Sequence, residues 1–315
     1  MVQNHRMIRC ALVLALLGGA LGCQPPASVP FLYQTPVVQV ATETSSDDPA
    51  PSSLRDVYAD SLAMRVYEAA GGPEAWEALP YLRFNFSVVR QNERGRVIRH
   101  MWNRQTGDYR VELPGPANEP YVVLFNINTR EGHVYWDGNE LDPVESPTHL
   151  ETAYSRFIND TYWLLLPFKL FDPGVNRTYL PDSSNALYDV LHLSFGNVGL
   201  TPGDQYWLYV DKASGRLVRW SYQLQDDAPD MPPRSFVWED YEEHITPAGS
   251  LFFATRKRGI GVPFAILTDE IGTPTRVPDD MFTAIEARLT PVGPDADVFD
   301  AGGKPQPARP KKNNN

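Results

Sequence analysis

From Tyr81 the side chains alternate with a period of two. Leu82, Phe84, Phe86 and Val88 are apolar, and Arg83, Asn85 and Ser87 between them are polar. That is the period of a half-buried strand with one apolar face. Strand-like runs follow at 95–104, 107–113, 120–127 and 132–137, with Gly95, Gly107 and Glu131-Gly132 at the turns. Over 148–169 the alternation stops. It resumes at 187–195, 205–211, 216–225, 234–243, 250–258 and 262–271, and Asp211-Lys212-Ala213-Ser214-Gly215 suits a hairpin turn. No strand–helix–strand rhythm is present, so both series belong to one strongly curved antiparallel sheet with a helical insertion. Roughly 240 residues lie between the two termini of different composition, enough for one large domain over residues 55–290.

Two short helices precede the first strand. Tyr58, Leu62, Val66 and Ala69 recur at helical spacing, with Ala63 and Ala70 beside them, and Gly71-Gly72 stops the run. Pro73 then opens a second turn of helix carrying Trp76 and Leu79, which Pro80 ends.

The ends of the chain read differently. Arg6 and Arg9 precede an apolar run, Ala11 to Gly22, that is far short of the ~20 residues a spanning helix needs. Ala20-Leu21-Gly22-Cys23 resembles a lipobox, in which small residues precede a cysteine that carries diacylglycerol. Residues 1–22 are thus expected to be a lipoprotein signal peptide, with Cys23 lipidated and the membrane a partner through that anchor. Gln24, where an inner-membrane lipoprotein has Asp, points to the outer membrane, with the domain facing the periplasm. Cys10 is the only other cysteine and falls in the removed peptide, which leaves no disulfide, thiol nucleophile or cysteine-based metal site. Residues 23–54 are rich in Pro, Ser, Thr and Asp and read as a tether; 291–315 read as a disordered tail. Removing Arg6 and Arg9 leaves 26 basic against 39 acidic residues, a net charge of about −13. A nucleic-acid partner does not fit that charge.

Several stretches carry a resemblance. "AAGGPEAWEAL", "HMWNRQTGDYRVEL", "YVVLFNINTREGHVYWDG", "NDTYWLLLPFKLFDPGV", "YDVLHLSFGNVGLTPGDQYWLYVDKASGRLVRW" and "FATRKRG" look like an uncharacterised family of bacterial envelope proteins. That family is related in fold to the lipoprotein carrier and insertion proteins LolA and LolB. The resemblance spans about residues 55–285 and implies a mainly β, α+β fold: an unclosed half-barrel with an N-terminal helix and a helical lid between two strand series. It implies that 148–169 is the lid, with Asp160 or Thr161 capping its start and Pro167 ending it. Trp163, Leu164, Leu165, Leu166 and Phe168 would then face Leu82, Phe84, Phe86, Leu191, Leu193 and Phe195 on the concave face. A half-barrel this wide leaves room that suits an acyl-chain ligand. The alternative is a filled core, with the outer face or loops binding another envelope protein.

Enzyme chemistry finds no support in the motifs. There is no Gly-x-Ser-x-Gly, no His-Glu-x-x-His and no Gly-rich phosphate loop, and the six histidines fit no metal spacing. No catalytic residue, metal or cofactor is expected. His100 and His192 could approach across the sheet, which leaves a hydrolase as the weakest alternative, beside a structural role for each. Asp204 reads as a turn anchor. The acidic run from Trp238 to His244 reads as a solvated face. Arg256-Lys257-Arg258 reads as a solvated strand end, with a lipid headgroup site as the alternative.

Overall fold

The computed structural model describes residues 54–115, 117–196 and 201–289. The expected signal peptide, Cys23, nearly all of the expected tether and the expected tail lie outside the described residues.

Two helices lead in, α1 (Leu54–Ala69) and α2 (Gly72–Glu77). Seven strands follow: β1 (Tyr81–Arg90), β2 (Glu93–Arg94), β3 (Ile98–Asn103), β4 (Asp108–Pro114), β5 (Pro120–Asn126), β6 (Gly132–Trp136) and β7 (Asn139–Glu140). Helix α3 (Ser146–Leu165) runs into a 3-10 turn, Leu166–Phe168. The second series is β8 (Val175–Tyr179), β9 (Tyr188–Phe195), β10 (Gln205–Asp211), β11 (Leu217–Gln223), β12 (Arg234–Thr246), β13 (Gly249–Gly259) and β14 (Phe264–Gly272). All 14 strands form one antiparallel sheet in the order β7-β6-β5-β4-β3-β1-β14-β13-β12-β11-β10-β9-β8, with β2 added beside β1. Each series is a meander, and the pairing of β1 with β14 joins them into one surface.

The sheet does not close. Its free edges are β7, two residues long, and β8, whose Asn176, Arg177 and Thr178 are polar. Short and polar edges are what keep an open sheet from pairing with another chain. In sequence, α3 is the segment that carries the chain from one edge to the other.

The sheet wraps around this helix. Asp160 and Trp163 are one helical turn apart, yet Asp160 meets His100 on β3 while Trp163 meets Phe236 on β12. β3 and β12 are four strand spacings apart in the sheet order, about 19 Å in a flat sheet. One turn of helix reaches both only from the concave side of a strongly curved sheet.

Helix α1 buries Ala59, Leu62, Ala63, Val66 and Tyr67, and Ala70 directly after it is buried as well. The buried stripe therefore passes through Ala59 and Tyr67 rather than through Tyr58 and Ala69, which the sequence spacing had included. Tyr58 is 43% exposed and turns its ring to Tyr179 at the sheet edge. The helix ends where Gly71 takes a φ of 125°. A Cβ there would come within 2.3 Å of the Ser250 carbonyl oxygen, so only glycine lets the α1–α2 corner sit this close to β13.

Alternation correctly assigns the inner face of β1 but not the outer one. Arg83, Asn85 and Ser87, expected in solvent, are buried. Arg94 reaches back from β2 and donates to the Ser87 hydroxyl at 2.8 Å, and Arg83 donates to the Glu270 carbonyl at 3.1 Å. Beside them the chain after β14 returns as a strap over the convex face. Met281 and Leu289 pack on Met101 from β3, and Phe282 stacks on Tyr81. Under the strap, Arg110 and Glu112 of β4 form a buried ion pair at 2.5 Å. Arg110 also donates to the carbonyls of Met281, Ala284 and Glu286, while Glu112 accepts from the backbone N–H groups of Arg288 and Leu289.

Candidate functional site

The concave face and α3 together make the largest apolar assembly in the chain. Leu82, Phe84 and Phe86 on β1 and Leu191, Leu193 and Phe195 on β9 point into it, as do Trp163, Leu164, Leu165, Leu166 and Phe168. All eleven side chains are buried in one contiguous cluster, none more than 8% exposed.

The two halves of α3 are held differently. Its first half is amphipathic, with Ala153 and Tyr154 buried and Glu151 exposed. It is tied down by Tyr121 to His149 at 2.6 Å and by Arg130, whose guanidinium lies 4.2 Å from the Tyr154 ring centre. From Phe157 to Phe168 every residue is buried. On the sheet, Trp163 meets Trp220 at 4.5 Å and Phe236 at 4.9 Å, while Phe168 in the 3-10 turn stacks on Trp76 of α2 at 4.5 Å. A helix apolar on all sides needs cover on all sides; the leading helices reach only its 3-10 end, where Tyr67 and Trp76 meet Phe168.

Asp160 and Thr161 do not cap the start of this helix, which begins at Ser146 with Pro147 in its first turn. The Thr161 hydroxyl donates to the carbonyl of Phe157 inside the helix. Asp160 is instead the centre of a polar cluster pressed against the sheet. His100 Nε2 lies 3.1 Å from its carboxylate, Asn159 donates to it at 2.7 Å, and Arg156 stands 3.8 Å away. The other imidazole nitrogen, Nδ1, lies 3.0 Å from the Tyr109 hydroxyl, and the ring stacks on Phe84 at 4.5 Å. His100 and Asp160 are both wholly buried.

Burial lowers the pKa of His100 from its ordinary value, outweighing the hydrogen bond to Asp160 that raises it, and burial holds Tyr109 well above its own. The network thus reads as a neutral imidazole whose Nε2–H donates to Asp160 and whose Nδ1 accepts from the phenol. Buried polar groups in an apolar interface cost stability unless they are paired. The pairing of His100 with Asp160 exists only while α3 is seated.

His192 does not join His100. It lies opposite Trp207 on the outer side of β9, while its neighbours Leu191 and Leu193 point inward. The two histidines are on opposite faces of the sheet, which removes the hydrolase alternative built on that pair. Among the described residues no group of three or more His, Cys, Asp or Glu is placed to hold a metal ion. Asp204 is a loop anchor, accepting from the Thr201 and Tyr206 hydroxyls and from the Gln225 backbone, and burial raises its pKa to about 6. Arg256 and Arg258 face outward onto Glu239, but Lys257 between them is wholly buried on the concave side. For Lys257 the solvated reading of this basic run is wrong. Alternation puts it on the face opposite to its two neighbours, where the sheet turns inward.

No described helix is long and apolar enough to cross a membrane. The unclosed half-barrel with an inserted helix, implied by the sequence resemblance, is the observed architecture. No protein-family model matches the chain, and no curated protein matches it. Among solved structures it is similar to a DUF1329 family protein from Desulfovibrio piger, at 12% identity and a TM-score of 0.43, covering 72% of this chain and 97% of that one. It is similar also to a LolA superfamily protein from Nitrosomonas europaea, at 10% identity, a TM-score of 0.42 and the same coverage. A third is a domain from Vibrio parahaemolyticus named for outer membrane lipoprotein sorting, at 10% identity and a TM-score of 0.40, again over 72% of this chain and 97% of that one.

Proposed function

We propose that the protein is a lipid-anchored envelope carrier that takes a long acyl chain, free or on a lipoprotein, into the trough that α3 covers. The carrying observation is how the concave face is covered. A second sheet or a fixed helical layer would make a permanent core. Here one helix, spliced between the two open edges of the sheet, lies along the trough and is fastened by a polar clasp. Gly174 in the left-handed region and the exposed turn at Val144 give the two ends of the segment places to bend.

Magnitudes favour a long ligand. Lifting Phe157, Trp163, Leu164, Leu165 and Leu166 off the sheet forfeits on the order of 10 kcal/mol, at about 1.5–3 kcal/mol per large side chain. A chain that replaces them recovers about 0.8 kcal/mol per methylene, so roughly ten to twenty methylenes are needed. The empty trough therefore stays shut, and short amphiphiles do not open it.

The test is binding of a long-chain fluorescent fatty-acid methyl ester, followed by hydrogen exchange. The ester should bind, and amides of 146–165 should lose protection when it does. A short-chain ester should do neither. Binding that leaves α3 protected would put the ligand elsewhere. A chain that ignores the probe would support the other reading, a filled core whose outer face meets a protein partner.

Attachment is proposed at Cys23, with the outer membrane as the site and the domain in the periplasm. Cys23→Ser should move the protein from the membrane to the soluble fraction. Retention that resists high salt would mean another attachment.

A further inference from the structure

The floor of the trough is not uniformly apolar. Lys257 on β13 stands between Trp238 on β12 and Ile266 on β14, its neighbours across the sheet, and both belong to the main core. It is 0% exposed. Its amine donates to the Ala254 carbonyl at 2.6 Å and to the Thr268 hydroxyl at 2.5 Å, and lies 4.9 Å from the Trp238 ring centre. The Thr268 hydroxyl donates to the same Ala254 carbonyl at 3.1 Å, which fixes the direction of the hydrogen bonds.

No carboxylate of the described residues pairs with Lys257. The charge that bears on it is Asp269, a residue of the outer face that is engaged by Arg94 at 2.9 Å. Burial accordingly lowers its pKa well below the ordinary lysine value. The neighbouring groups are donors as well. The indole N–H groups of Trp238 and Trp220 are buried with no acceptor among the described residues, and the two rings are 5.8 Å apart. Trp163 of α3 closes this corner by packing on Trp220 and Phe236.

A buried lysine with no described carboxylate to balance it, against the ring of Trp238 and one ring removed from Trp220, is costly in a core that never opens. Buried polar groups are almost always paired, and an exception calls for an explanation. A lysine that only filled space would be replaced by methionine at no loss. What this corner lacks is an acceptor that carries negative charge.

Resting on the carrier reading above, we propose that Lys257, with the indole N–H groups of Trp220 and Trp238, seats the acidic head of the ligand, a carboxylate at the end of a long apolar chain. The chain then lies along the trough, and the head is buried rather than left at the mouth. A carboxylate there accepts from the ammonium and the two indoles, and charge-assisted hydrogen bonds of this kind are about twice as strong as neutral ones.

The experiment compares a long-chain fluorescent fatty acid with its methyl ester, on the full chain carrying Cys23→Ser so that no anchor acyl chain competes. The wild-type trough should bind the acid about 10–100-fold more tightly than the ester. Lys257→Met, an apolar side chain of similar length, should bring the acid to the affinity of the ester and leave the ester unchanged. In two-dimensional NMR the Trp238 indole signal should shift with the acid and not with the ester. If neither probe binds, both the carrier reading and the seat fall. If wild type binds both equally, the trough stands and the seat falls, a result that needs no folded variant. An acid preference that survives Lys257→Met also overturns the seat.

Discussion

Asp160→Ala is expected to lower stability by about 1–3 kcal/mol, the usual loss when a buried hydrogen-bonding group is left without its partner. It leaves His100, Asn159 and Arg156 facing a gap, all at the point where α3 meets the sheet. The loss should be local in origin: amides of 146–165 should exchange faster, and the long-chain probe should bind faster. Replacing both partners, as His100→Phe with Asp160→Leu, removes the polar groups together and should recover most of the stability. That double variant should also bind the probe more slowly than wild type, because its lid is held by packing alone. An ordinary structural pair would show the same melting behaviour but no change in the binding rate. An Asp160→Ala protein with wild-type exchange over α3 would sink the clasp.

The same pair sets an acid sensitivity. Because burial lowers the folded pKa of His100, the unfolded chain takes up its proton first, near the ordinary value of 6.5. Stability is then full above about 6.5 and is lost as pH falls toward the folded value. His192 and His244 are lowered too and act in the same sense, while Asp204, raised to about 6, acts in the opposite one. Subtracting the curve of a His100→Gln variant from that of wild type cancels these three, and the difference should fall as pH drops below about 6.5.

Alternation and turn residues carry most of the strands. The run expected at 205–211 matches β10, that at 132–137 runs one residue past β6, and that at 250–258 falls one residue short of β13 at each end. β8 was not legible, because a five-residue edge strand of mostly polar residues has no apolar face to reveal it. The start of α3 was misplaced for a related reason. Asn159, Asp160 and Thr161 precede an apolar run, as capping residues do, but they lie inside the helix, whose amphipathic first half starts at Ser146. Period two also says only that Lys257 and its neighbours face opposite ways. It does not say that the inner way leads into a closed trough. The buried polar groups of the outer face have the same origin: a strand pattern cannot show that a segment 170 residues later lies over it.

That strap leads to the other large effect. Glu112→Ala should destabilise the chain by about 3–5 kcal/mol, because it strands the guanidinium of Arg110 in a site where both residues are almost wholly shielded. The carboxylate does two jobs there. It balances Arg110, and it accepts the backbone N–H groups of Arg288 and Leu289, which ends the strap on the sheet. Glu112→Gln separates the two. The amide oxygen can still accept a backbone N–H, but the charge is gone, so the loss should lie between wild type and Glu112→Ala. Arg110→Met with Glu112→Leu removes the charge problem and the strap anchor together. Its core should be close to wild type in stability, yet residues 273–289 should become open to proteolysis. The lid lies on the opposite face, so none of these changes should alter the rate at which the long-chain probe enters. A probe rate that follows Glu112 would mean that the strap and the lid are coupled through β4, whose Tyr109 touches the clasp from the inner side.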